Sequence, residues 1–181
     1  GGGVIAQIGS GVTTLSGDSS AFGGRTEVRD GTLTVDGKLG GAVEVFDGGR
    51  LTGHGQVGSL LNQAGGVVAP GGFGVLTVTG GYEGRGGTLR IEAVLGGDDS
   101  QTDRLLVRGA TSGSTLVEVA NRGGLGARTS NGILVVDVEG ASDGVFTLAK
   151  GDFRLGGENA LVAGAYAYVL RQDAQRGDWK L

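Results

Sequence analysis

Short stretches in which apolar and polar residues alternate recur along this chain, each closed by glycine. Thr32-Leu33-Thr34-Val35 ends at Gly37, Ala42-Val43-Glu44-Val45 runs into Asp47-Gly48-Gly49, and Arg50-Leu51-Thr52 stops at Gly53. Val57, Gly65-Gly66-Val67-Val68, Val75-Leu76-Thr77-Val78 and Thr88-Leu89-Arg90-Ile91 continue the series. Period-two alternation puts Val and Leu on one face and Thr, Glu or Arg on the other, which predicts short strands with one buried and one wet face. No long window carries an apolar stripe at i, i+3, i+4 and i+7, because glycine interrupts nearly all of them. Helix is therefore expected to be almost absent.

Short strands with turns between them can build a sandwich, a barrel or a solenoid. The phrases GTLTV, GGRLTG, GGVVAP, GVLTV and GGTLRI are alike without a strict period. Such loose self-similarity fits coils that stack strand upon strand while their corners vary in length. The expected fold is all-β, a parallel β-helix over residues 1–95. In GGVVAPGGFGVLTV, from Gly65 to Val78, Val67 and Val68 form an inward-facing step, Pro70 fixes a corner that needs no ladder N–H, and the glycines permit the turn back.

From Gly96 the texture changes. The run Ile133 to Val138 is longer, and Tyr166, Tyr168 and Trp179 bring in aromatic residues late. Residues 96–181 are expected to hold the last coils and a cap that includes antiparallel hairpins, since a stack of strands must cover its final edge. The join near Gly96 to Thr102 is soft, and the two parts form one continuous unit.

Composition narrows the choice between order and disorder. Glycine supplies 42 of 181 residues and proline one, with no collagen-like period, but 38% of the chain is apolar, too much for a disordered segment. Fifteen basic residues against 19 acidic ones give a net charge of −4, and the Lys and Arg are scattered, which argues against nucleic-acid binding. Cysteine is absent, so no disulfide or cysteine-ligated metal is available. The start, GGGVIAQIGS, lacks a secretion signal and there is no methionine, so the chain reads as an internal piece of a longer precursor.

Chemical motifs are weak. Gly31 to Lys38 superficially has a phosphate-loop pattern, but it carries one residue too many between its glycines and Leu39 stands where Ser or Thr would hold magnesium. Gly72-Phe73-Gly74 lacks the third glycine of a dinucleotide fingerprint. His54, the sole histidine, sits at a corner and reads as an exposed turn residue rather than a triad or metal member. Asp98, Asp99 and Asp103 could bind calcium or act as paired carboxylates, but read better as a solvated loop that discourages edge pairing. No catalytic, metal or cofactor residue is assigned, and no enzymatic activity is expected.

The phrases GTLTVDGKLGG, GGRLTGHGQVG, the Asn62 to Gly72 step, NGILVVDVEG and the terminal AYAYVLRQDAQRGDWKL, in that order, resemble the C-terminal passenger region of bacterial type V autotransporters of the pertactin-like and AIDA-like group. The stretch from Leu15 to Val35 is similar to that family's passenger-associated transport repeat. The resemblance implies a right-handed β-helix whose last coils and cap form an autochaperone segment, exported through the periplasm to the cell surface. It implies as partners the upstream passenger coils and the outer-membrane β-barrel of the same precursor, with no cofactor, in a monomer. Phe146, Leu148, Tyr166, Tyr168, Leu170, Trp179 and Leu181 are the candidate folding-nucleus and cap residues, because buried aromatic and aliphatic side chains contribute most to such a cap. Two other readings are an adhesive, glycan-binding outer surface that would engage a host ligand, and a polysaccharide-cleaving site built on Asp98 and Asp103.

Overall fold

A computed structural model describes residues 2–181, and among them every regular element is a strand. The protein is all-β. Seventeen strands belong to one hydrogen-bonded network, and three more form an antiparallel meander.

Most pairing in the large network is parallel, and a strand rarely pairs with its neighbour in sequence. Three ladders result. The first joins Val4–Gln7 to Arg25–Val28 and then to the later parts of Lys38–Val45 and Gln56–Gln63. It continues into the first halves of Tyr82–Ala93 and Thr111–Asn121. The second joins Val12–Leu15, Gly31–Val35, Gly49–Thr52 and Val67–Ala69, then the second halves of the same two long strands, and ends on Val145–Leu148. The third runs from Asp18–Ser19 through the first parts of Lys38–Val45 and Gln56–Gln63 to Val75–Val78, Arg104–Val107 and Leu134–Val138.

Because parallel pairing keeps register, inward side chains stand over one another in columns. Leu33, Leu51, Val68, Leu89, Val117 and Leu148 make one column, and Leu39, Val57, Val78, Val107 and Val138 another. All are buried. Each buried Leu or Val contributes roughly 1.5–3 kcal/mol relative to exposure, and the columns join in one hydrophobic core.

Long strands cross from one ladder to the next by bending at glycine. Tyr82–Ala93 shifts register between Arg85 and Thr88, where Gly86 has φ +82°. Elsewhere corner glycines stack on one another: a Cβ on Gly109 would lie 2.5 Å from the Gly80 carbonyl oxygen, and one on Gly140 would collide with the carbonyl of Gly109. These corners admit no side chain without backbone movement.

Gly31 to Val35 is a strand with Leu33 and Val35 in the core, so the phosphate-loop reading has no loop to stand on. The Gly65 to Val78 stretch is a corner between two ladders, with Gly65 at φ +79° and a buried Pro70 directly after the strand Val67–Ala69. Two details differ from the sequence reading. Only Val68 points into the core; Val67 is half-buried on the outer face, as strand alternation requires. The chain also turns through Phe73 at φ +57°, a left-handed conformation that costs a non-glycine residue free energy. The Gly74 N–H closes this turn on the Gly71 carbonyl at 3.1 Å.

Truncating a mid-column residue leaves a void that strands on both sides cannot close. Leu89→Ala is expected to lose about 2–5 kcal/mol in urea unfolding, whereas Thr34→Ala on the outer face should stay within about 0.5 kcal/mol of the parent.

Candidate functional site: one open end and one clasped end

The first and last strands of the ladders differ in how their edges are treated. Val4–Gln7 and Val12–Leu15 each pair on one side only among the described residues. The carbonyls of Gly3 and Gln7 accept from Arg25 and Arg29, and those of Gly11 and Leu15 accept from Thr32 and Asp36. Backbone groups alternate sides along a strand, so the N–H and C=O of Val4, Ala6, Val12 and Thr14 face away from the stack. Apolar side chains are exposed here as well: Val4 is 62%, Ile8 72% and Val12 70% accessible. This end presents both unpaired backbone groups and uncovered hydrocarbon.

The opposite end is closed by antiparallel pairing. Trp179–Lys180 pairs with Leu134–Val138, the last strand of the third ladder, and Arg171–Gln172 pairs with it in turn. Ile133 and the C-terminal Leu181 exchange two backbone hydrogen bonds of 2.9 Å. Carboxylates and amides then take up the remaining edge groups. The buried Asp178 accepts from Val138 N–H at 3.0 Å, and Asn159 Nδ2 donates to the Leu148 carbonyl at 2.7 Å. Each is a side chain standing in for an absent next strand.

Aromatic packing links this clasp to the interior. The Phe146 ring lies 5.4 Å from Trp179 and 5.8 Å from Tyr82, whose ring it stacks on at 21°. Tyr82 is fully buried; its hydroxyl bonds Thr115 Oγ1 at 2.8 Å, and Asn62 Nδ2 donates to the Thr88 carbonyl at 3.1 Å beside it. A Cβ on Gly84 or Gly87 would overlap Thr115 or Asn62, so glycine makes the room for this polar group inside the stack.

Of the seven cap candidates, Phe146, Leu148, Tyr168, Leu170, Trp179 and Leu181 are buried. Phe146, Leu148, Leu170 and Trp179 line one cleft of about 350 Å³ beside the last parallel strand. Tyr168 stands apart, at the meander, where its hydroxyl accepts from Ala127 N–H and lies 2.9 Å from the Gly96 and Ala127 carbonyls. Tyr166 differs from the buried role expected of it. It is 42% exposed, because it pairs with Ala163 across a hairpin end. Tyr82, Asn62 and Thr115 were not expected from the sequence; the signal was an Asn two residues after the inward Leu60, at the same strand parity.

The acidic group divides. Asp99 is exposed, but the solvated-loop reading fails for Asp103, which is fully buried and accepts from Glu92 N–H at 3.0 Å. Burial pushes the Asp103 carboxyl above its ordinary value, against the hydrogen bond from Glu92 N–H. Asp98 fastens its loop to residues 130–132, accepting from the backbone N–H groups of Ser130, Asn131 and Gly132. Both are explained as tethers of loop to ladder. His54 is an exposed corner residue 3.3 Å from Asp36. Among the described residues no group of three or more His, Cys, Asp or Glu could hold a metal ion.

Comparison with known proteins places these features in a family. The family model described as Autochaperone Domain Type 1 matches residues 55–170. The chain is 46% identical over 172 residues to the adhesin BmaC autotransporter of Brucella suis biovar 1, covering 94% of this chain and 5% of that protein. It is 35% identical to the probable autotransporter YfaL of Escherichia coli K12, over 99% of this chain and 14% of that one. It is 40% identical to the autotransporter adhesin AIDA-I of Escherichia coli over 51% of this chain and 6% of that relative. The chain therefore spans a small fraction of the length of these relatives.

Two outcomes follow for the clasped end. Trp179→Ala is expected to cost about 3–5 kcal/mol of unfolding free energy and Tyr166→Ala far less, in a denaturant series read by circular dichroism. The Asp173 carboxyl is held at about 2 by Lys180 and by the N–H groups of Gln175 and Arg176. A depressed pKa contributes stability above the unfolded value, 3.8, that is lost as pH falls through about 2. Amide exchange at Gln175 and Arg176 should accelerate across that window, and Asp173→Asn should flatten the acid dependence.

Proposed function

Because the chain belongs to the type 1 autochaperone domain family, we propose that it nucleates folding of an autotransporter passenger as that passenger is exported. On this reading the three parallel ladders are the faces of a right-handed β-helix, residues 1–95 forming its regular coils and 96–181 its last coils and cap. The single observation that carries the proposal is the asymmetry of the ends. The clasped end can form without further chain, whereas the open end offers backbone groups and apolar surface to a strand that arrives later. Each added coil buries hydrocarbon and completes a ladder, so folding proceeds away from the clasp and holds the exported chain outside without an external energy source.

Phe146, Leu148, Tyr168, Leu170, Trp179 and Leu181 set the stability of the nucleus in this scheme, with Tyr166 contributing less. The partners are the upstream passenger coils and the outer-membrane barrel of the same precursor, and the location is the bacterial surface, supported by the autotransporter and adhesin relatives. The protein acts as a non-catalytic monomer. A host-surface ligand would belong to the outer strand faces.

The test separates templating from stability. Thr14→Pro removes an N–H that faces away from the stack, so the isolated chain should unfold as the parent does. In a longer passenger the same substitution should slow folding of the upstream segment, followed by protease resistance after dilution from urea. Upstream folding at the parental rate would overturn the open-edge proposal. Loss of stability in the isolated chain would show instead that Thr14 serves the fold itself.

A further inference from the structure

Asn131-Gly132 is the chain's exposed asparagine–glycine pair, the sequence in which backbone attack on the side-chain amide meets least steric resistance. Attack requires the Gly132 nitrogen to lose its proton and reach Asn131 Cγ. Here that N–H is already committed, donating to Asp98 Oδ1 at 3.0 Å. The same carboxylate accepts from Ser130 N–H at 2.8 Å and from Asn131 N–H at 3.0 and 3.1 Å, and the Asn131 amide lies 3.3 Å from Asp98 Oδ2. Proton loss from a nitrogen held against a carboxylate would set two anions side by side, so the hydrogen bond opposes both the ionisation and the rotation that reaction needs.

We infer that Asn131-Gly132 is a masked deamidation site, that Asp98 is its mask, and that its modification loosens the C-terminal clasp. When the site is unmasked, the Gly132 nitrogen bonds to Asn131 Cγ and ammonia leaves, giving a cyclic imide. Water then opens either carbonyl–nitrogen bond of the imide, yielding aspartate or isoaspartate with no other reactant.

The consequence follows from position. Conversion replaces a donor 3.3 Å from Asp98 with a second carboxylate, turning attraction into repulsion. Isoaspartate also lengthens the backbone by one methylene immediately before Gly132 and Ile133. Ile133 is the residue that exchanges two hydrogen bonds with Leu181, so strain at 131 is delivered directly to the clasp. Gly132, at φ +86°, packs against Lys180 and Leu181 and cannot absorb that change freely. The inference goes beyond the proposed nucleation role and does not depend on it.

The experiment incubates the folded chain at mildly alkaline pH and reads amide-to-acid conversion by peptide mass and isoaspartate content. The folded parent should convert at 131 at least tenfold more slowly than the same chain in guanidinium, and Asp98→Asn should raise the folded rate severalfold. Asn131→Gln in the Asp98→Asn background should abolish the signal at that position. Equal rates in the folded and unfolded parent would overturn the mask without recourse to any variant. For the clasp, Asn131→Asp should speed amide exchange at Ile133 and Leu181; unchanged exchange at both would overturn the coupling.

Discussion

Leu33, Leu51, Val68, Leu89, Val117 and Leu148 stand over one another because parallel pairing repeats without slipping, and that register is the constraint the rest of the structure depends on. A slip of one residue in any strand would turn its inward Leu or Val to solvent and bring Thr or Arg inside. Burial and backbone hydrogen bonding therefore enforce the same alignment. Corners must be uniform enough to return each strand to its place, and stacked glycines such as Gly80, Gly109 and Gly140 provide this by letting one backbone rest on another.

Stacking of this kind creates a problem at its ends, since each level is completed only by its neighbours. The C-terminal end solves it with antiparallel strands, with Asp178 and Asn159 occupying backbone positions, and with the Tyr82, Phe146 and Trp179 rings carrying packing from the interior to the closure. The N-terminal end leaves the problem unsolved. Val4, Ile8 and Val12 are exposed there beside unpaired backbone, the combination that invites strand addition. On the proposed nucleation reading, these features are where an arriving strand would pair.

Polar residues inside the stack have a related logic. Asn62, Tyr82 and Thr115 occupy inward positions where aliphatic residues would fit; hydrogen bonds join the Tyr82 hydroxyl to Thr115 and the Asn62 amide N–H to a backbone carbonyl, and small glycine neighbours make the room. The half-buried Asp98 and the fully buried Asp103 act as tethers of loops. Asp98 gathers the N–H groups of residues 130–132 and Asp103 accepts the N–H of Glu92, so each ties a loop to a segment distant in sequence. The half-buried Asp98 carboxylate answers several donors at once.

Alternation and glycine spacing in the sequence determined the all-β class, the absence of helix among the described residues, most strand positions and the direction in which Leu33, Leu51, Leu76 and Leu89 point, because those depend on period-two geometry within a few residues. The late aromatic residues raised the expectation of a cap for the same local reason, and of them Tyr168 and Trp179 are buried while Tyr166 is exposed. Val67 and Tyr166 were misjudged where a local pattern gave no account of which face was already covered. The columns, the Asn62–Tyr82–Thr115 group, the burial of Asp103, the hold of Asp98 on Gly132 and the contrast between the two ends were decided only by the tertiary structure. Each joins residues at least eleven positions apart in sequence, and parallel pairing of strands separated by loops of unequal length brings them together in a way no local period encodes.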